Sequence, residues 1–154
     1  MAIDKDGNIW VTNFNNASVT KLNFDGKIKG NYTVGKEPTR IAIDQDGNIW
    51  VTNSGSDSVT KLSSDGTIIG TYGIGEWPAG IAIDQDGHIW IANSISNRIA
   101  KLNTDGKIIG DYCGGSNPTE IAIDKNGNVW VTNFYENTIS KLIGIANGPQ
   151  YFPY

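Results

Sequence analysis

A thirteen-residue phrase, Ile41-Ala42-Ile43-Asp44-Gln45-Asp46-Gly47-Asn48-Ile49-Trp50-Val51-Thr52-Asn53, returns with small changes at 81–93 and 121–133, and with Met1 in first place at 1–13. The spacing is 40 residues each time. A period of that size marks stacked or ringed copies of one supersecondary unit, because a single unit cannot bury its apolar face alone. The repetition also bounds function. Residues common to all copies serve the shared fold, so a specific activity has to sit where the copies differ.

The second copy resolves into four short strands. Pro38-Thr39-Arg40-Ile41-Ala42-Ile43 is strand A, and Asp44-Gln45-Asp46-Gly47-Asn48 is turn chemistry in which Asp holds an Asx turn and Gly accepts positive φ. Ile49-Trp50-Val51-Thr52 is β-branched and aromatic, as a strand B should be. The polar stretch Asn53 to Asp57 leads to the alternating strand C, Ser58-Val59-Thr60-Lys61-Leu62. A second turn at Ser63-Ser64-Asp65-Gly66 precedes strand D, Thr67-Ile68-Ile69-Gly70-Thr71-Tyr72. No stretch carries a capped helical period. The predicted fold is all-β: a β-propeller of four 40-residue, four-stranded antiparallel blades, with blades at about 1–37, 38–77, 78–117 and 118–154. Strand B is apolar on both sides, which suits a blade sandwiched between two neighbours. Trp10, Trp50, Trp90 and Trp130 are therefore expected in the core between blades.

The ends break the pattern. The loop and proline that precede strand A in the other copies are missing before Met1, and Ile143 to Gly148 replaces the expected Asp-Gly turn and strand D. The fourth blade is thus expected to be incomplete. Three closures stay open: part of a larger propeller, pairing with another copy to make about eight blades, or a four-bladed ring with the tail 143–154 as its edge. Exposed blade faces favour self-association, so the expected partner is a second copy of the chain.

Composition narrows the partners. Charged residues make up 18% and the net charge is −4, which gives no basic stripe for nucleic acid. No apolar run approaches the roughly 20 residues of a membrane helix. Met1 is followed at once by Ala2-Ile3-Asp4, so no signal peptide is read at this start. The compartment stays open, secretion or a periplasmic parent protein included. The single cysteine, Cys113, excludes an internal disulfide and has no histidine near it in sequence, so it reads as a free thiol.

The phrase Ile-Ala-Ile-Asp-x-Asp-Gly-Asn-Ile-Trp-Val-Thr-Asn, followed by Ser-Val-Thr-Lys-Leu-x-x-Asp-Gly-x-Ile, resembles NHL-repeat propellers, and most of all the branch that contains streptogramin (virginiamycin B) lyases. The resemblance covers nearly the whole chain. It implies the propeller fold. It would also imply elimination chemistry run by a histidine base, acidic residues and magnesium. The one histidine, His88, sits in the turn position held elsewhere by Asn8, Asn48 and Asn128, so no catalytic residue is carried over.

The A–B and C–D turns, predicted on one face of the propeller, hardly vary. The B–C and D–A loops, predicted on the other, diverge from copy to copy. Candidate ligand-binding residues on that face are Trp77 and Glu76, Phe14, the Phe134-Tyr135 pair, Glu37, and Arg40 with Glu120. A polar rim with aromatics suits a carbohydrate or peptide ligand. Burial of these aromatics against a neighbouring blade is the plainer alternative. The Asp-x-Asp-Gly-Asn run lacks the spacing of a calcium loop and reads as a hairpin turn, leaving a ring of Asp4, Asp44, Asp84 and Asp124 around the channel as a secondary idea. No cofactor, no metal site and no nucleophile motif is read. The expected function is a non-catalytic binding scaffold. A fragment of a lyase-like or lactonase-like enzyme, and an amplified or designed repeat with no activity beyond folding, remain as alternatives.

Overall fold

The computed structural model describes residues 1–143. The first sheet is a meander of β1 (Ala2–Ile3), β2 (Ile9–Asn13), β3 (Ser18–Leu22) and β4 (Ile28–Thr33). The second comprises β5 (Pro38–Ile43), β6 (Ile49–Asn53), β7 (Ser58–Leu62) and β8 (Ile68–Gly73). The third repeats this with β9 (Pro78–Ile83), β10 (Ile89–Asn93), β11 (Arg98–Leu102) and β12 (Ile108–Cys113). The fourth has three strands, β13 (Pro118–Ile123), β14 (Val129–Asn133) and β15 (Thr138–Leu142). All pairings within the sheets are antiparallel, and the architecture is a partial β-propeller with three full blades and one partial blade. The tail beyond Ile143, which one of the three open closures used as a blade edge, lies outside the described residues. Among the described residues no helix is long and apolar enough to cross a membrane.

Each blade has a trailing face toward the next blade and a leading face toward the one before. Trp10 and Val19 of the first blade pack on Ile49, Val51 and Leu62 of the second. Trp50 and Val59 meet Ile89, Ile91 and Leu102 in the same way, and Trp90 and Ile99 meet Val129 and Val131. Strand B thus sends its tryptophan forward and its flanking aliphatics backward, which explains why it is apolar on both sides.

A polar clamp accompanies each of these tryptophans. The Trp50 indole donates to Asp44 at 3.0 Å, and the Lys61 ammonium lies 4.9 Å above the indole centroid. Lys61 also donates across the blade boundary to the Thr104 carbonyl at 2.7 Å, and Lys21 does the same to Ser64 at 2.7 Å. These lysines are buried although they stand at alternating strand positions. Their stems cover the indole while the ammonium reaches the next blade's backbone. Burial pushes the Asp4 carboxyl up, but hydrogen bonds from the Asn8 side chain, the Trp10 indole and two backbone amides outweigh it and hold the group at about 2. The Asp4–Trp10 clamp is therefore an ionised acceptor at neutral pH.

Strand D adds a tyrosine to each clamp: Tyr32, Tyr72 and Tyr112 stack on the tryptophans at 5.6, 6.0 and 5.4 Å. Tyr32 then leans on Gly66 in the C–D turn of the following blade, where a Cβ would overlap the phenol ring. Gly47, in an A–B turn, shares the positive φ but has only Ser64 at 3.9 Å. Gly47→Ala is therefore expected to cost about 1 kcal/mol for the backbone alone. Gly66→Ala adds overpacking and should cost about 3 kcal/mol, readable as the difference between the two urea midpoints.

The expectation for Trp130 needs correction. Trp10, Trp50 and Trp90 are fully buried, but Trp130 is 38% exposed. Its own clamp is intact, with the indole 3.1 Å from Asp124 and Lys141 4.8 Å above the ring. What it lacks, among the described residues, is a stacked tyrosine and a following blade. Periodicity reports the residue and not its neighbour.

Candidate ligand-binding face

The B–C and D–A loops lie on one face because backbone hydrogen bonds stitch them together. Ser54 and Gly55 donate to the Glu37 and Lys36 carbonyls at 3.0 and 3.1 Å. Ser94 donates to Trp77 at 2.9 Å, and Phe134 to Asn117 at 2.9 Å. Two B–C loops make a single 3-10 turn, at Phe14–Asn16 and Ser54–Ser56, each closed by a residue in the left-handed region. The D–A loop needs the same conformation: φ is 51° at Glu37, 56° at Trp77 and 55° at Asn117.

That shared φ sets a side-chain preference at this position. Asn visits the left-handed region readily, whereas other side chains cost about 1–2 kcal/mol there. Asn117 is what the backbone asks for. Trp77 and Glu37 stand at the same position against that preference. The Trp77 amide donates to Asp57 Oδ1 at 2.9 Å, as the Asn117 amide does to Asn97 Oδ1 at 2.8 Å, so the frame is held whichever side chain it carries. Trp77 is 40% exposed, too open for a core role.

The other candidates are placed as follows. Phe14 and Glu37 line one cavity of about 230 Å³ with Asn15, Ala17 and Lys36. Phe134 and Tyr135 are exposed and meet edge to face at 5.6 Å. Glu76 offers its carbonyl to the Ile95 amide at 3.3 Å and keeps its side chain at the surface. Arg40 and Glu120 are not separate ligands-in-waiting. They form a salt bridge from the second blade to the fourth, with Arg40 Nε 3.0 Å from Glu120 Oε1. Gly80 occupies the same repeat position in the blade between them. A Cβ there would come within 2.7 Å of the Thr119 carbonyl, so glycine is what lets the third and fourth inner strands approach. The aromatics are thus spread over three loop clusters, and the cavity that Phe14 lines includes neither Trp77 nor Phe134.

The acidic positions behave differently from the ring suggested for them. Asp4, Asp44 and Asp84 are buried and hold indoles inside the blades, so they do not line the channel. His88 Nδ1 lies 3.2 and 3.1 Å from the two Asp84 oxygens, on the opposite side of the blade from the B–C loops. Asp84, Asp86 and His88 could offer three ligand atoms to a cation. The Asp84 carboxylate is already occupied by the Asp86 and His88 amides at 3.1 and 2.8 Å and the Trp90 indole at 2.9 Å. The group is a turn and an indole clamp. Cys113 is exposed beside the Arg98 guanidinium at 3.2 Å.

The virginiamycin B lyase family model matches residues 1–150. This chain belongs to the virginiamycin B lyase family. Its fold is similar to that of a streptogramin B lyase, with a TM-score of 0.84 and 27% identity over 94% of this chain and 50% of the other. The virginiamycin B lyase of Staphylococcus aureus, also solved in a catalytically inactive form with quinupristin, gives 0.79 and 24% over 92% and 54%. A putative 6-phosphogluconolactonase from Bacteroides fragilis gives 0.81 and 20% over 92% and 49%. This member of the lyase family therefore spans about half the length of these solved relatives. No curated protein sequence matches it.

Proposed function

We propose that this chain is a recognition module of the virginiamycin B lyase family that binds a peptide or carbohydrate ligand on its B–C/D–A loop face and supplies no eliminating base of its own. The observation that carries this reading is Trp77. A large indole is held in a left-handed conformation, exposed, at a position where a sister copy uses the unstrained Asn117. Strain kept where Asn would relieve it, and carried at Trp77 by a large exposed indole, points to selection for something other than folding. Glu76 beside it and Glu37 at the matching position give the rim hydrogen-bond acceptors suited to amide or hydroxyl donors. His88, the only histidine, is committed to Asp84 on the other face. A general base needs its substrate proton within hydrogen-bond reach.

Titration of the chain with quinupristin, alongside a panel of linear peptides and glycans, tests this by tryptophan fluorescence. Saturable binding is expected for at least one probe, weakened about tenfold or more by Trp77→Ala, a loss of about 1.4 kcal/mol. Equal binding by the wild type and the variant for every probe would remove Trp77 from the proposal. Quinupristin is expected to stay intact on incubation. Ring opening that disappears in His88→Ala would instead support the alternative that the chain is part of a lyase.

A further inference from the structure

The junction of the first two blades carries a hydroxyl-lined groove that the next junction does not repeat. It encloses about 500 Å³, with Thr33 and Val34 of the first blade on one side and Ser56, Ser58, Ile68 and Thr71 of the second on the other. A volume of this size suits a small-molecule site. None of the lining residues is charged.

The hydrogen bonds beneath the groove decide what its hydroxyls can offer. The fully buried Asn53 donates through Nδ2 to Ser58 Oγ at 3.2 Å and to Thr60 Oγ1 at 2.9 Å. The amide stands the same way round in the fourth blade, where Asn133 Nδ2 donates to Thr138 and Ser140 and its Oδ1 accepts from the Gly115 amide at 3.0 Å. Ser58 Oγ meets Ser56 Oγ at 3.1 Å, and Thr60 Oγ1 meets Thr71 Oγ1 at 3.2 Å. The Lys36 amide donates to Ser56 Oγ at 3.1 Å. Each hydroxyl has one proton and two lone pairs. Ser58 and Thr60 are buried, so their protons go to Ser56 and Thr71. The protons of Ser56 and Thr71, both exposed, are left for the groove. Asn53 also lies against Gly35 in the groove wall, where a Cβ would fall 2.6 Å from its Cγ. Its Oδ1 is buried and has no donor among the described residues.

At the second junction Arg98, Ala100, Asp111 and Cys113 replace Ser58, Thr60, Thr71 and Gly73. Arg98 Nη2 donates to Asp111 Oδ2 at 2.8 Å, and Asn93 Nδ2 turns to the Ile74 carbonyl at 3.0 Å. An ion pair takes the place of the hydroxyl relay.

We propose that the first groove binds a neutral saccharide unit. Its oxygens accept the Ser56 and Thr71 protons, its own hydroxyls bring donors to the wall that lacks one, and its C–H face covers Val34 and Ile68. A peptide backbone added to a sheet is held by main-chain groups along an edge. Here the polar atoms are side-chain hydroxyls on the face of a blade. Trp77 is not among the lining residues, so this site goes beyond the loop-face ligand proposed above.

Amide-resolved NMR of the isotope-labelled chain, titrated with maltotriose, cellotriose, mannotriose and the uncharged peptide tetra-alanine, tests it. At least one sugar should move the Gly35, Thr71 and Gly73 amides saturably and leave Gly75 and Cys113 at the second junction in place. S56A with T71V removes both outward protons without touching a buried residue, and should weaken that binding about tenfold. Gly73→Leu puts a side chain into the groove, where a Cβ meets nothing within 4 Å, and should abolish binding with the fold intact. Trp77→Ala should leave it unchanged. Undisturbed groove amides with every sugar overturn the proposal, as does binding that survives either groove variant. Tetra-alanine moving these amides where no sugar does overturns it in favour of a peptide. Sugar-induced shifts confined to Trp77 and Phe14 would support the loop-face reading and overturn this one.

Discussion

Trp50→Ala is expected to cost the fold about 4 kcal/mol, among the largest effects of any single truncation in the chain. The side chain is fully buried between the second and third blades, against Ile89, Ile91 and Leu102. It also carries the Tyr72 stack at 6.0 Å and the Lys61 ammonium at 4.9 Å. Removing it leaves a cavity the size of an indole. It also leaves Asp44 without one donor and Lys61 without its apolar cover. Chemical denaturation gives the value as a fall in midpoint. Trp130→Ala should cost less than half as much, because Trp130 is 38% exposed and its outer side already faces water. Equal losses at the two positions would mean that inter-blade burial does not set the stability of the array.

Asp84→Ala should be comparably severe, at about 4 kcal/mol. The Asp84 side chain is fully buried and accepts from two turn amides and the Trp90 indole, and the Lys101 ammonium stands 3.7 Å away. Removal takes the carboxylate from an indole N–H and an ammonium inside the fold, and the desolvation cost of such groups then falls on the native state. The A–B turn loses its Asx anchor in the same step. Asp124→Ala, in the last blade, should be milder, since the indole it holds is partly open to solvent. Thermal unfolding of the two variants side by side measures the contrast.

Most of the architecture was legible in the sequence because the physical signals coincide with the period. Strand C of the second copy was read at Ser58 to Leu62 and is found there. Strand D was read one residue early. The Thr67 carbonyl closes the turn by accepting from the Ser63 amide, so the ladder begins at Ile68. The buried lysines were the chief omission. Alternation along Ser-Val-Thr-Lys-Leu suggests a solvated lysine, and only its recurrence at 21, 61, 101 and 141 hinted at a structural task. The left-handed φ at residues 37, 77 and 117 was also hidden, because two of the three side chains oppose it. Asn117 was the available signal. The pairing of Arg40 with Glu120 joins residues 80 apart through blade curvature, which no local pattern encodes.

The central claim is that shared residues build the array while divergent residues on one loop face recognise a ligand. Exchanging Glu76 and Trp77 for the residues of the next copy, E76S with W77N, addresses it directly in one protein. The double variant should unfold at the same temperature as the wild type or a higher one, because Asn relieves the left-handed backbone at about 1 kcal/mol. It should also lose about tenfold or more in affinity for whichever probe the wild type binds. Undiminished binding in a variant of equal or greater stability would contradict the account.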